Sequence, residues 1–201
     1  MDDLFVTSFP GYYGQPARDI DAFLSTTNEI YFEIEDRKEQ LQFHIHVGDG
    51  TARFDNPDAI NLVIFNYEGY INGFSPRFQQ GRRRCDFIMA SETARYFILG
   101  EMKSRNPFHD VAQGARGQLL GSLVTIYNVP EINAYIHSKM EKKCCYFNKQ
   151  PQAPPEIDAP IAFGLVNELL KYGFEMPYPE INQYGFSYFE FYGTQTMRLT
   201  A

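Results

Sequence analysis

The sequence predicts an α/β protein with a mixed central β-sheet flanked by helices. Three observations carry this. Two apolar runs, 87–90 and 96–99, are short enough for strands and continuous enough to be covered on both faces. Period-two alternation at 29–35 and 40–47 adds another strand pair. A helical stripe then follows the second apolar run, made by Val111, Ala115, Leu119, Leu123, Ile126 and Tyr127.

Taken in order, residues 1–15 read as coil because Pro10-Gly11 and Gly14 interrupt them. Residues 17–24 suggest a short amphipathic helix with Ile20, Phe23 and Leu24 on one face. The strands at 29–35 and 40–47 would turn at 36–39. The second would place Leu41, Phe43, Ile45 and Val47 inward, and Gln40, Gln42, His44 and His46 outward. His44 and His46 share a face and could hold a metal, but with no third ligand nearby they read as an exposed face. A strand at 60–67 follows Asn56-Pro57-Asp58, and 68–81 reads as a loop over a cleft.

After the two apolar runs, Asp110 suits the N-cap of the striped helix. Gly114, Gly117 and Gly121 weaken that helix by up to about 1 kcal/mol each relative to Ala, which close packing against the sheet would offset. Residues 132–137 and 144–147 read as short strands around a basic turn, and 149–155 as a linker. Asp158 would cap a helix at 160–172, and 186–192 forms an aromatic strand. Tyr184, Tyr188 and Tyr192 fall at even spacing on one face, suited to core packing, an interface or base stacking. Residues 1–150 thus form the core, and 151–201 a C-terminal helix and strand packing on the same domain.

Composition bounds the reading. The three cysteines make no disulfide framework and have no metal-ligand spacing, which points to a reducing, cytoplasmic compartment. The chain opens on Met1-Asp2-Asp3 without an apolar leader, and no apolar run approaches the roughly 20 residues of a membrane span. A net charge of −7 argues against nucleic-acid binding as a global property. Local clusters matter more: Arg82, Arg83 and Arg84 precede Asp86, with Arg105 beyond it, and Lys139, Lys142 and Lys143 form a second group.

The strongest chemical signal lies in the apolar hairpin. Asp86 opens its first strand and Glu101-Met102-Lys103 closes its second, with fourteen residues between Asp86 and Glu101. A four-residue hinge would pair Ala90 with Arg95, set Asp86 opposite Leu99, and leave Asp86 diagonal to Glu101 on the same face. A slip of one residue would send Asp86 to the far face. Two carboxylates and an ammonium held together can bind a divalent metal and activate water.

Asp86 followed by Glu101-Met102-Lys103 resembles the core motif of the PD-(D/E)XK nuclease superfamily, with Cys85 where that motif usually has Pro. The resemblance implies a restriction-endonuclease-like core and Mg²⁺ or Mn²⁺ held by Asp86, Glu101 and the Met102 carbonyl. It implies that Lys103 orients water and steadies charge on a phosphate of DNA. The family often adds a polar or basic residue from the following helix, for which Gln113, Arg116 and Gln118 are candidates. It also often adds an upstream Glu; Glu29, Glu33 and Glu35 are near, and Glu29 ranks first as closest to the first expected helix. Arg82, Arg83, Arg84 and Arg105 would bind nucleic acid. No recognition domain is visible, so specificity would fall to a homodimer or a partner protein. The alternatives are an inactive nuclease-like fold serving as a protein- or nucleic-acid-binding module, and an unrelated α/β protein whose Glu101 and Lys103 face solvent.

Overall fold

A computed structural model describes residues 3–106, 109–151 and 171–201. Its centre is a mixed seven-stranded sheet in the order β1-β5-β6-β7-β8-β10-β9. In chain order these are β1 (Leu24–Thr27), β5 (Leu62–Asn66), β6 (Phe87–Ser91), β7 (Tyr96–Lys103), β8 (Glu141–Asn148), β9 (Phe174–Met176) and β10 (Ser187–Tyr192). Strands β5, β6 and β7 form an antiparallel meander, while β7, β8 and β10 run parallel. The parallel step from β7 to β8 is bridged by helices α4 (His109–Tyr127) and α5 (Pro130–His137), as a crossover requires. The expected α/β class with a helix-flanked mixed sheet is present.

One face of this sheet packs under α4 and α5 through Ile88, Ala90, Phe97, Leu99, Leu119, Leu123 and Ile132. The other meets a second, four-stranded sheet that the sequence did not suggest. It is ordered β11-β4-β2-β3, with β2 (Tyr31–Arg37), β3 (Gln40–His44), β4 (Ala52–Asp55) and β11 (Met197–Arg198). Phe32, Ile34, Phe54, Phe87, Met89, Ile98 and Phe147 fill the layer between the sheets. Both faces of β6 and β7 are therefore covered, as their unbroken apolar runs predict.

Several expectations change. The N-terminus is helical (Leu4–Ser8, then α1, Phe9–Tyr12) because Phe5 and Phe9 bury fully among aromatic rings and Pro10 sits where a helix start tolerates it. The helix expected at 17–24 is a single 3₁₀ turn, Asp21–Phe23, after which Leu24 enters β1 and pairs with β5. Strand β3 stops at His44, and Phe43, Ile45 and Val47 are exposed rather than inward, since β3 is an edge strand. The loop at 68–81 holds two short helices, α2 (Tyr67–Asn72) and α3 (Pro76–Gln79), capped by Asn66 and Ser75. Residues 132–137 belong to α5, where Pro130 starts the helix and Ile132 and Ile136 bury on one face four apart. Helix α4 begins at His109, so Asp110 lies in its first turn and complements the helix dipole from there. The C-terminal strand is present as β10, with Tyr188 and Tyr192 buried in the core and closed to base stacking, while Tyr184 precedes it. A last short helix, α6 (Pro179–Asn182), was also not expected. The helix at 160–172, its Asp158 cap and most of the 149–155 linker lie outside the described residues. Among the described residues no helix is long and apolar enough to cross a membrane.

Candidate functional site

The β6–β7 hairpin forms in a register two residues away from the expected one. Phe97 faces Ala90, Leu99 faces Ile88 and Gly100 faces Phe87. Asp86 donates its N–H to the Gly100 carbonyl (3.1 Å) just ahead of the Phe87–Gly100 pair, which brings it to the end of β7 that carries Glu101. A two-residue shift preserves the alternation of faces along β7, so Glu101 and Lys103 stay on the face of Phe97 and Leu99. The shift follows from the hinge. Ser91 Oγ accepts the Tyr96 N–H (2.8 Å), and Lys139 binds the Ser91 and Thr93 carbonyls (2.8 and 2.6 Å), closing 92–95 into the loop. Gly100 is also required here, because a Cβ would fall 2.0 Å from the Phe87 ring.

Two hydrogen bonds from α4 fix the entry to Asp86. Ser122 Oγ accepts the Cys85 N–H (2.6 Å), and Gln118 Nε2 donates to the Arg84 carbonyl (3.1 Å). Gln118 thus positions the strand. The glycines of α4 have a related role: a Cβ on Gly117 or Gly121 would meet Arg83 at 1.9 or 2.8 Å. The close approach predicted for this helix is therefore to the Arg83 segment.

Beside Asp86 stand two acids from elsewhere. The N-terminus of α2 docks on the Asp86 carbonyl through the N–H groups of Tyr67 and Glu68 (3.1 and 3.3 Å), which places Glu68 next to the Asp86 side chain. Asp36 arrives from the end of β2 in the second sheet. One oxygen each of Asp36, Glu68 and Asp86 lies within 4.8 Å of the others. This is a hard-oxygen donor set of the kind that suits Mg²⁺, Mn²⁺ or Ca²⁺. Asp86 also accepts the Met102 N–H at 2.5 Å. An extended residue directs N–H and C=O to the same side, so the Met102 carbonyl leaves β7 on the Asp86 side as well.

Glu101 is fully buried, with no donor on Oε2 and a single cation at Oε1. Its partner is the Lys103 ammonium, in contact from the same face of β7. Burial, then the Asp86 charge, push the Glu101 carboxyl well up, against the pull of Lys103. Burial raises Asp86 to about 7; Lys103 and the Met102 N–H oppose this, while Glu68 and Asp36 add to it. Glu68 is also raised, by burial and by Asp36. Burial acts against the Lys103 charge, but Glu101, Asp86 and Glu68 outweigh it and hold the ammonium above its ordinary value. The site is a concentration of negative charge whose built-in relief is one lysine and, 3.7 Å from Glu68, Arg84.

The other expected residues are elsewhere or otherwise occupied. Glu29 is exposed beyond β1, whose Thr27 pairs with Leu62, and Leu62 pairs with Ser91. That is the far end of the sheet from Asp86, so Glu29 stands apart from it, and the upstream acid beside Asp86 in space is Glu68. Glu33 and Glu35 lie in the second sheet, bound to Arg53 and to Arg37 and Lys149. Gln113 is exposed. Arg116 is tied to Glu190 (2.6 Å), which also accepts the Tyr188 and Tyr192 hydroxyls. Arg82 stacks between Tyr13 and Phe78, Arg84 faces Glu68, and Arg83 and Arg105 are exposed. His44 approaches Glu35 (3.6 Å). One signal could have marked Glu68: Asn66 is a good N-cap, and an acid in the next turn is typical of a helix start. Gly69, Gly73 and Pro76 obscured it.

No protein-family model, curated protein or solved structure matches this chain.

Proposed function

We propose that this chain is a metal-dependent phosphodiesterase acting on nucleic acid, DNA in the first instance, in a reducing cytoplasmic compartment. The observation that carries the reading is the convergence of Asp36, Glu68 and Asp86 beside a fully buried Glu101 whose one close cation is Lys103. Withdrawn carboxylates that outnumber the cations beside them are costly unless a further cation meets them. The carboxylates here come from β2, α2, the start of β6 and the end of β7, so their assembly is a property of the tertiary fold. The resemblance of Asp86 and Glu101-Met102-Lys103 to the PD-(D/E)XK motif supports the same reading.

A divalent ion, when bound, supplies charge to the phosphate and lowers the pKa of a coordinated water. Asp86, Glu68 and Asp36 would hold it, with Glu101 completing the set from β7. The chain's own contributions are distinct. Lys103 holds Glu101 in place and carries a permanent positive charge to the site's edge, where it can orient a water and face a phosphate. The Met102 N–H fixes the Asp86 carboxylate. Arg83 and Arg105, both exposed near the site in sequence, offer phosphate contacts. Specificity would fall to a second copy or a partner protein.

The test is calorimetric Mn²⁺ binding together with cleavage of labelled DNA, comparing wild type with Asp86→Asn, Glu101→Gln and Lys103→Met. Expected is loss of binding and cleavage in the acid variants, and loss of cleavage by at least about a hundredfold with binding retained in Lys103→Met. Mn²⁺ binding without cleavage of any nucleic acid would favour the binding-module alternative. Full cleavage by Asp86→Asn would end the proposal.

A further inference from the structure

Next to the acid cluster lies a cleft of about 660 Å³, within the range of small-molecule sites. One wall is the β2–β3 turn with Lys38, Glu39 and Gln40, and the other includes Arg18, Phe23 and Asn72. It shares both supporting elements with the acids. Asp36 is two residues before Lys38, and Glu68 immediately precedes Gly69 on the floor.

The cleft is cationic and built. The Arg18 guanidinium lies over Phe23 (4.8 Å) and donates to the Tyr70 carbonyl (3.0 Å). Among the described residues no carboxylate pairs with it. It can lie there only because residue 73 is glycine: a Cβ at Gly73 would fall 1.2 Å from Arg18 Nη1. The opposite wall is held firmly as well. Lys38 and Glu39 both adopt positive φ (56° and 65°), as the central residues of a tight hairpin turn do. Asn66 Nδ2 pins that turn through the Glu39 carbonyl (2.8 Å). Two cations, Arg18 and Lys38, therefore face a nucleotide-sized space with polar groups from Gln40 and Asn72 around it, and Glu39 is the acid on its rim.

We propose that this cleft binds the phosphate of a nucleotide flanking the one presented to the acids, with Arg18 as the principal contact and Lys38 as the second. The identity of the ligand rests on the nucleic-acid reading above. A strand crossing the site would pass from the Asp36–Glu68–Asp86 cluster into the cleft over the Asn66–Glu39 link. Arg18 is a binding residue here, acting on substrate affinity and register.

The experiment measures binding of thymidine 5′-monophosphate, thymidine and a short fluorescent DNA strand to the full chain without metal. Variants are Arg18→Gln, Lys38→Gln and Gly73→Ala, the last of which keeps every charge but displaces the guanidinium. Expected is binding of the monophosphate but not of thymidine, weakened about tenfold by Arg18→Gln and by Gly73→Ala. The salt dependence of DNA binding should also fall by roughly 0.7 in log–log slope with Arg18→Gln. If Gly73→Ala does not fold, Arg18→Gln decides alone. Equal monophosphate binding in wild type and Arg18→Gln, or none in wild type, overturns the proposal. The cleft and the catalytic reading fail separately: monophosphate binding lost with Arg18→Gln supports the cleft even if Asp86→Asn leaves metal binding untouched.

Discussion

Among the described residues two glutamates are fully buried, Glu33 and Glu101, and their surroundings are opposite. Glu33 sits in the second sheet and accepts from the Tyr31 hydroxyl, the Gly48 N–H (2.9 Å) and the Gly50 N–H (2.5 Å), with Arg53 at 3.1 Å. Burial opposes its charge, but these donors together outweigh burial and hold its carboxyl below the ordinary value. Glu101 has Lys103 alone and a carboxylate, Asp86, facing it, and it is pushed up. The fold can evidently build a complete shell around a buried acid, and it does so at Glu33. At Glu101 the shell is reduced to one lysine, and more acids are gathered instead. A buried acid with a full shell serves stability. One left short of donors among other acids fits a place for a cation.

The sharpest break of this contrast is Glu33→Gln. It leaves Arg53 buried without its counter-charge and should destabilise the protein by about 3–5 kcal/mol, read as a lower denaturation midpoint at unchanged slope. Glu101→Gln should leave metal-free stability at pH 7 unchanged or raise it by about 1 kcal/mol, because it removes a charge that burial penalises. A large loss there would mean that the Glu101–Lys103 pair is structural.

The pH dependence of metal-free stability should separate the two acids by sign. The Glu33 value is lowered on folding, so its contribution is present above the ordinary carboxylate range and is lost as pH falls through its folded value. Asp86 goes the other way, from 3.8 to about 7. The folded chain keeps that proton longer than the unfolded chain, so stability falls as pH rises from about 4 towards 7. Thermal melts across pH should show both limbs. Asp86→Asn should flatten the upper one and Glu33→Gln the acid one. Saturating Mn²⁺ should raise the melting temperature most at the upper end of that window, and this gain should vanish in Asp86→Asn. A packing control stands apart from both acids: Gly100→Ala should cost about 1–3 kcal/mol by displacing Phe87, leaving the Glu33 limb of the pH profile intact.

What could be read from the sequence divides along the same line. The apolar hairpin, the α4 stripe, and the shared face of Glu101 and Lys103 all follow from local periodicity, which the chain states within some forty residues. Even the wrong register kept the right face, because a shift of two is invisible to alternation. Asp36 and Glu68 were hidden for a different reason. Asp36 reaches the site only because β2 belongs to a second sheet, and that sheet depends on long-range pairing no local pattern announces. Glu68 rides on a six-residue helix too short and glycine-rich to show a stripe. Residues 132–137 misled because Ile, Tyr and Ile suit a strand as well as a buried helix face; Pro130 was the better guide.

The pairing of β11 with β4 sets an order of events. Met197 lies beside Phe54 and Leu199 donates its N–H to the Asp55 carbonyl (2.7 Å), while Thr200 and the Tyr96 hydroxyl hydrogen-bond in both directions. During vectorial synthesis β2, β3 and β4 emerge early, yet the edge of their sheet waits for the last described strand. Such distant closure slows folding. The hairpin bearing Asp86 and Glu101 pairs locally, whereas Asp36 rides on a sheet whose β4 edge is completed only by β11. The two sides of the acid cluster thus draw on contacts of very different sequence range.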